Sequence, residues 1–173
     1  RRSAQLARRL VVATEAHALE MAEELGMPAS RFTIMPHGAM PVPLGALGTG
    51  RKRRSLLFIG AMEERKGIDH FLAAAERGTT IGGEECRWIV VGRPAEPWAT
   101  RARQAGVEVV GAISEEALAE CWRDAAAVVV PSRYESFGLV AIEAMGQGVP
   151  VIAADIAVFR EVLGDAAIFA DLR

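Results

Sequence analysis

The chain has 173 residues, 51% of them hydrophobic, enough for one domain with a proper core and an attached piece of another. Its 20 basic and 22 acidic side chains give no general electrostatic case for nucleic acid or membrane binding. Cys86 and Cys121 are too few and too far apart for a disulfide framework or a zinc site, and no run of about 18 apolar residues is present to span a bilayer. The expectation is a cytoplasmic protein with no metal site and both thiols as small hydrophobes. Arg1-Arg2-Ser3-Ala4-Gln5 has neither an initiating Met nor the apolar stretch of a secretory signal, so the chain is expected to be part of a longer protein.

Leu10-Val11-Val12-Ala13-Thr14 reads as a short strand, and Thr14 is placed to cap a helix carrying Ala18, Met21, Ala22 and Leu25 on one face. Gly26 ends that helix. Arg31-Phe32-Thr33-Ile34-Met35 is a second strand, halted at Pro36-His37-Gly38, where His37 on the plain reading rests on backbone partners. Residues 39–54 form a turn-rich linker. The run that ends it, Arg51-Lys52-Arg53-Arg54, is solvated surface on the plain reading, the alternative being an anionic partner or lipid headgroups.

Ser55-Leu56-Leu57-Phe58-Ile59-Gly60 is a strand ending on glycine, and Ile68, Phe71, Leu72 and Ala75 mark the core face of the next helix. Between them, Ala61-Met62-Glu63-Glu64-Arg65-Lys66-Gly67 sets two cations at the carboxyl edge of the sheet, where open α/β folds bind ligands. The same cations could simply pair with Glu63 and Glu64 on the surface. Arg87-Trp88-Ile89-Val90-Val91-Gly92 is the next strand, its glycine allowing backbone or ligand to come close. Trp98 is expected to pack on the helix through Ala102. Val107-Glu108-Val109-Val110-Gly111 follows as a strand, and Ser114 caps a helix with Leu118, Cys121, Trp122 and Ala125 along one side.

Ala126-Ala127-Val128-Val129-Val130 reads as a buried strand, ended by Pro131-Ser132. From Gly138 the residues Leu139, Ile142, Ala144 and Met145 suit a packed helix until Gly146 and Gly148 stop it. The polar loop Arg133-Tyr134-Glu135-Ser136-Phe137 thus opens onto a helix N-terminus, which favours an anion such as phosphate. Glu135 precedes that helix and Glu143 lies about one and a half turns into it. A carboxylate repels phosphate but accepts from hydroxyls, so the pair suits a ligand with sugars on either side of a phosphate. Alternatively, Glu135 is a loop charge at a helix start and Glu143 a solvated helix residue. Strands at Val149 to Asp155 and Ala166 to Ala170 flank a last helix, Ala157 to Leu163. The alternation, with a period of roughly twenty residues, argues an α/β fold, a Rossmann-like parallel sheet with helices on both faces.

Glu135-Ser-Phe-Gly-Leu-Val-Ala-Ile-Glu143, with its Pro-Ser lead-in and its Gly-Val-Pro-Val-Ile follow-up, resembles the paired-glutamate motif of retaining GT-B glycosyltransferases. The resemblance covers nearly the whole chain. It implies that residues 55–173 are the C-terminal half that binds a nucleotide-diphosphate sugar, and residues 1–38 the tail of the acceptor-side domain with the crossover, where His37 would face the cleft. Glu135 would hold the donor sugar, Glu143 the ribose hydroxyls, and the amides around Phe137, Gly138 and Leu139 the diphosphate. The strand glycine Gly60 and the Arg65-Lys66-Gly67 loop resemble the family's second donor motif, whose basic pair neutralises the diphosphate as it leaves. Many relatives carry an arginine directly after the strand glycine, where this chain has Ala61, so Arg65 must supply that role. Gly111-Ala112-Ile113 would lie against the nucleotide base.

The implied activity is hexosyl transfer with retention, with no cofactor beyond the donor substrate, to a sugar, lipid or other hydroxyl acceptor bound by the other half. The fragment alone is expected to be inactive, and the full-length protein to be cytoplasmic, or peripheral at the inner membrane. A noncatalytic nucleotide-binding module and a nucleotide-sugar epimerase are the alternatives. A NAD-dependent dehydrogenase is disfavoured because no strand is followed by G-x-G-x-x-G.

Overall fold

The computed structural model describes residues 2–38, 54–78, 80–81 and 83–172. The expected linker, apart from Arg54, lies outside the described residues, and so do Arg51, Lys52 and Arg53 of the basic run.

Near the N-terminus a short helix α1 (Arg2–Leu6) precedes a βαβ unit of β1 (Leu10–Val12), α2 (Glu15–Leu25) and β2 (Phe32–Ile34). The two strands pair in parallel, Leu10 opposite Phe32. Thr14 caps α2 as expected, its hydroxyl accepting from the His17 amide, and Gly26 ends the helix in the left-handed region at φ 66°.

The main body runs β3 (Ser55–Ile59), α3 (Ile68–Ala75), a hairpin of β4 (Thr80–Ile81) and β5 (Glu84–Glu85), then β6 (Arg87–Val91), α4 (Trp98–Gln104) and β7 (Glu108–Gly111). It continues through α5 (Glu115–Asp124), β8 (Ala125–Val130), α6 (Leu139–Gly146), β9 (Val151–Ala154), α7 (Ala157–Leu163) and β10 (Ile168–Ala170). Six strands form one parallel sheet in the order β10-β9-β8-β3-β6-β7.

Because successive side chains point to opposite faces, neighbouring residues of one strand serve different layers. Leu57 and Val128 pack with Trp122 of α5, Ala141 and Ala144 of α6, and Phe159 and Leu163 of α7. Phe58 and Val90 pack on the other face with Ile68, Phe71, Leu72 and Ala75 of α3 and Ala102 of α4. Trp98 lies partly buried against that second layer. Helices therefore cover both faces, the Rossmann-like α/β arrangement expected. Phe71, Phe159 and Leu57 are fully buried, each contributing about 2–3 kcal/mol in water-to-core transfer.

Two local expectations need correction. Ala125 is not on the α5 face but begins β8, pairing with Ser55, so helix passes into strand with no loop between. Leu139 does not join the core: it is 45% exposed, since its place in the first turn of α6 faces outward while Ala141 and Ala144 face in. The β4–β5 hairpin also goes beyond the sequence reading, with Gly83 at φ 81° in the turn.

Chain order and sheet order diverge at one point. From β3 the chain steps outward to β6 and β7, then α5 carries it back to β8 on the other side of β3. The loops after β3 and β8 thus leave neighbouring strands toward opposite helix layers, and the crevice between them is the usual ligand position in such sheets.

Candidate functional site

The loops after β3 and β8 meet main chain to main chain. Gly67 sits at φ 72°, and a Cβ there would lie 1.8 Å from the Pro131 carbonyl oxygen. The Arg133 amide donates to the Arg65 carbonyl at 2.9 Å. The Arg133 guanidinium donates to the Glu64 carbonyl at 2.6 Å and forks onto Asp69 at 2.7 and 2.6 Å. Its hydrogen bonds hold the Asp69 carboxyl below the usual carboxylate range, against the opposing effect of burial.

Inside this clamp Lys66 Nζ donates to Glu135 Oε1 at 2.5 Å. The Ser132 hydroxyl donates to the same oxygen at 3.0 Å. Ser132 is 1% exposed, and the Glu135 side chain only 11%. Two expected site residues far apart in sequence are thereby joined at the sheet's carboxyl edge by a charge-assisted, sheltered contact. Arg65 is placed differently. Its guanidinium is half exposed and reaches Glu63 at 3.4 Å, the surface pairing that the sequence left open.

Beside this pair, α6 begins at Gly138, which takes φ 90° and leaves no room for a side chain, since a Cβ would meet the Phe159 ring at 2.4 Å. No side chain caps the helix start among the described residues, so its first amides and dipole are available to an anion. Phe137 is buried, Leu139 exposed, and Glu143 stands exposed in the second turn. At the end of β3, Gly60 has φ 140°, with open space where a Cβ would be. What comes close to Gly92 is backbone: a Cβ there would lie 1.9 Å from the Gly60 carbonyl oxygen. Gly111 in turn bridges to Gly92.

The N-terminal unit also reaches this loop. The Thr14 hydroxyl donates to the Ser136 carbonyl at 3.1 Å. The Tyr134 hydroxyl and His17 Nε2 share a hydrogen bond of 2.8 Å, with the two rings edge to face. His37, exposed in its turn, lies edge-on to Phe137 with centroids 5.2 Å apart. The Glu161 carboxylate of α7 accepts from the amides of Glu15 and Ala16, both at 2.8 Å, at the start of α2. Sequence reasoning singled out none of Thr14, Ser132, Tyr134, Asp69 or Glu161 as site residues. Arg133 was seen only as a loop residue, because its partners lie some 64 positions away.

Cys86 is buried and Cys121 partly so, and burial pushes both thiols up from their ordinary range. Among the described residues no group of three or more His, Cys, Asp or Glu is placed to hold a metal ion, and no helix is long and apolar enough to cross a membrane.

Comparisons with known proteins span most of the chain. A family model described as "Glycosyl transferases group 1" matches residues 53–172. The D-inositol 3-phosphate glycosyltransferase of Acidothermus cellulolyticus is 33% identical over 171 residues, covering 86% of this chain and 38% of the relative. The chain thus spans about two fifths of the length of such curated relatives. Among solved structures, the sucrose-phosphate synthase from Thermosynechococcus elongatus superposes with a TM-score of 0.68 at 27% identity, over 92% of this chain and 44% of that one. A mutant of S. aureus TarM, in complex with UDP and alpha-GlcNAc-glycerol among other ligands, gives a TM-score of 0.75 at 20% identity, over 99% of this chain and 35% of that one.

Proposed function

Because the chain belongs to the group 1 glycosyl transferases, we propose that residues 55–172 bind the nucleotide-diphosphate sugar donor of a retaining glycosyl transfer. The observation that carries this is the contact of Lys66 with Glu135 beside the open start of α6. It sets a cation and a helix N-terminus, both suited to a diphosphate, next to a carboxylate suited to sugar hydroxyls. The TarM complex with UDP supports the nucleotide part.

In this reading the diphosphate lies across the amides of Phe137, Gly138 and Leu139, with Lys66 alongside. As the sugar bond breaks, the diphosphate gains negative charge, and a preorganised cation and helix start stabilise that change more than they stabilise the bound donor. Glu135 accepts from the sugar and Glu143 from the ribose. Arg65 exchanges its exposed bond to Glu63 for a phosphate oxygen, which costs little because such surface pairs contribute little. No resident metal or cofactor is needed, since Lys66, Arg65 and the helix supply the positive charge.

Residues 1–38 belong to the acceptor side in this proposal. Val11, Leu19, Ile34 and Met35 are exposed there, at 57, 56, 41 and 64%, and a two-stranded parallel sheet ordinarily needs cover on both faces. The acceptor, a sugar, lipid or other hydroxyl compound, is read by that side, so residues 1–173 alone transfer nothing.

Calorimetric titration with UDP, GDP and ADP and their hexose conjugates tests the site, alongside Glu143→Ala and Lys66→Ala. Binding of one base by the unaltered chain, weakened in both variants, is the expected result. Equal binding by all three proteins would overturn the assignment, as would a failure of a full-length protein carrying this chain to bind any of these nucleotides.

A further inference from the structure

Three contacts on the donor loop come from outside the region that the family model matches. Residues 134–137 are touched by Thr14 through the Ser136 carbonyl, by His17 through the Tyr134 hydroxyl, and by His37 through the Phe137 ring. Thr14 is 1% exposed and makes two bonds at once, accepting from the His17 amide at 3.2 Å while donating to Ser136 at 3.1 Å. The start of α2 is in turn fixed to α7 by the Glu161 carboxylate on two successive amides. The same α7 supplies Phe159, which fills the space beside Gly138.

From this arrangement we infer that Thr14, with the Tyr134–His17 pair, is a positioning element for the donor loop: it sets the backbone between Glu135 and the first amides of α6. Lys66 and Ser132 hold the Glu135 side chain from one side, but they do not hold the carbonyl of Ser136. Among the described residues no other hydrogen bond is made to the Ser136 carbonyl beside the uncapped Gly138, and only ordered amides make a preorganised anion cradle. Thr14 supplies the missing tie from a segment that the donor half does not contain. The role in donor binding rests on the function proposed above, whereas the ordering of the loop does not.

The two parts separate experimentally. Amide hydrogen exchange on the 1–173 chain is compared for the parent, Thr14→Val, Thr14→Ser and Tyr134→Phe. In Thr14→Val the amides of Ala141 and Ile142, which donate to the Gly138 carbonyl at the end of the loop at 3.0 and 3.3 Å, should exchange about five- to tenfold faster, with β3 and β8 unchanged, the size set by loss of one buried hydrogen bond. Thr14→Ser, which keeps the hydroxyl, should restore the parent rates, and Tyr134→Phe should give a smaller acceleration. Unchanged loop exchange in Thr14→Val, or faster exchange spread over the whole sheet, would overturn the inference.

Calorimetry then compares UDP, GDP and ADP with their hexose conjugates. Weaker binding of the preferred nucleotide by Thr14→Val, rescued by Thr14→Ser, is expected. Equal affinity in parent and Thr14→Val, despite faster loop exchange, would remove the link to the donor. Faster exchange in Thr14→Val, together with no nucleotide binding by a full-length protein carrying this chain, would sink the proposed function and leave the ordering role standing.

Discussion

A Cβ on Gly67 would stand 1.8 Å from the carbonyl oxygen of Pro131, so the loop bearing Lys66 and the loop bearing Glu135 are held at backbone contact distance. Gly67→Ala asks for both a left-handed alanine and a separation of the two loops. It should destabilise the chain by more than about 3 kcal/mol, or fold with the Lys66–Glu135 contact broken. Chemical denaturation checks the first outcome, and loss of donor binding at unchanged stability checks the second.

Lys66→Ala leaves Glu135, among the described residues, with the Ser132 hydroxyl alone and takes a cation from the proposed diphosphate site. Affinity for the preferred nucleoside diphosphate should fall by about 10- to 100-fold, the scale of one charge-assisted hydrogen bond. Arg65→Ala should cost less in the unliganded protein than Lys66→Ala, because its present partner is an exposed carboxylate. Melting temperatures of the two variants, together with titrations, separate these effects.

The Arg133–Asp69 fork makes stability depend on acid. With its folded value lowered, the Asp69 carboxyl binds its proton more readily in the unfolded chain. The contribution is therefore present above the ordinary aspartate range of about 4 and is lost as pH falls through the lowered folded value. Arg133 is more than one-third exposed, so solvent screening keeps the effect to about 1 kcal/mol or less. Asp69→Asn should be less stable than the parent at pH 7, with the difference shrinking toward pH 3. Urea midpoints across that range test the sign.

Glu161→Gln replaces an anion at the start of α2 with a neutral side chain. Loss of stability should be about 0.5–1 kcal/mol, with the N-terminal unit affected before the main sheet. Proteolysis near Met27 or Met35 faster than within β3 to β10 would be the sign of it. Equal protection throughout would mean that Thr14 and His17 suffice to hold the unit.

Much of this was legible in local pattern. The core face of α3, the caps at Thr14 and Ser114, and the stops at Gly26 and Gly164 each depend on residues within a turn or two of one another. Leu139 and Ala125 were misplaced for the opposite reason: an apolar residue looks the same whichever side of its element it occupies, and only the packed neighbour decides. The meeting of Lys66 with Glu135 carries no local trace, since it arises from the order of strands in the sheet. Motif resemblance suggested both residues, but neither Ser132 nor Arg133 could be given a partner until β3 and β8 lay side by side. Arg65 and Lys66, adjacent in sequence and alike in charge, part company because one side chain turns under the β8 loop and the other into solvent.

The β3–β8 pairing also bears on how the chain folds. A partly folded chain with only β3, β6 and β7 associated contains the basic loop but lacks its carboxylate partner, because β8 must first close a long loop back across α5. A ligand that needs both loops is absent from every such intermediate, so its binding energy falls entirely on the species in which that closure is complete. Donor would then act as a late-stage fastener of the sheet, slowing its opening without hastening the early steps of folding.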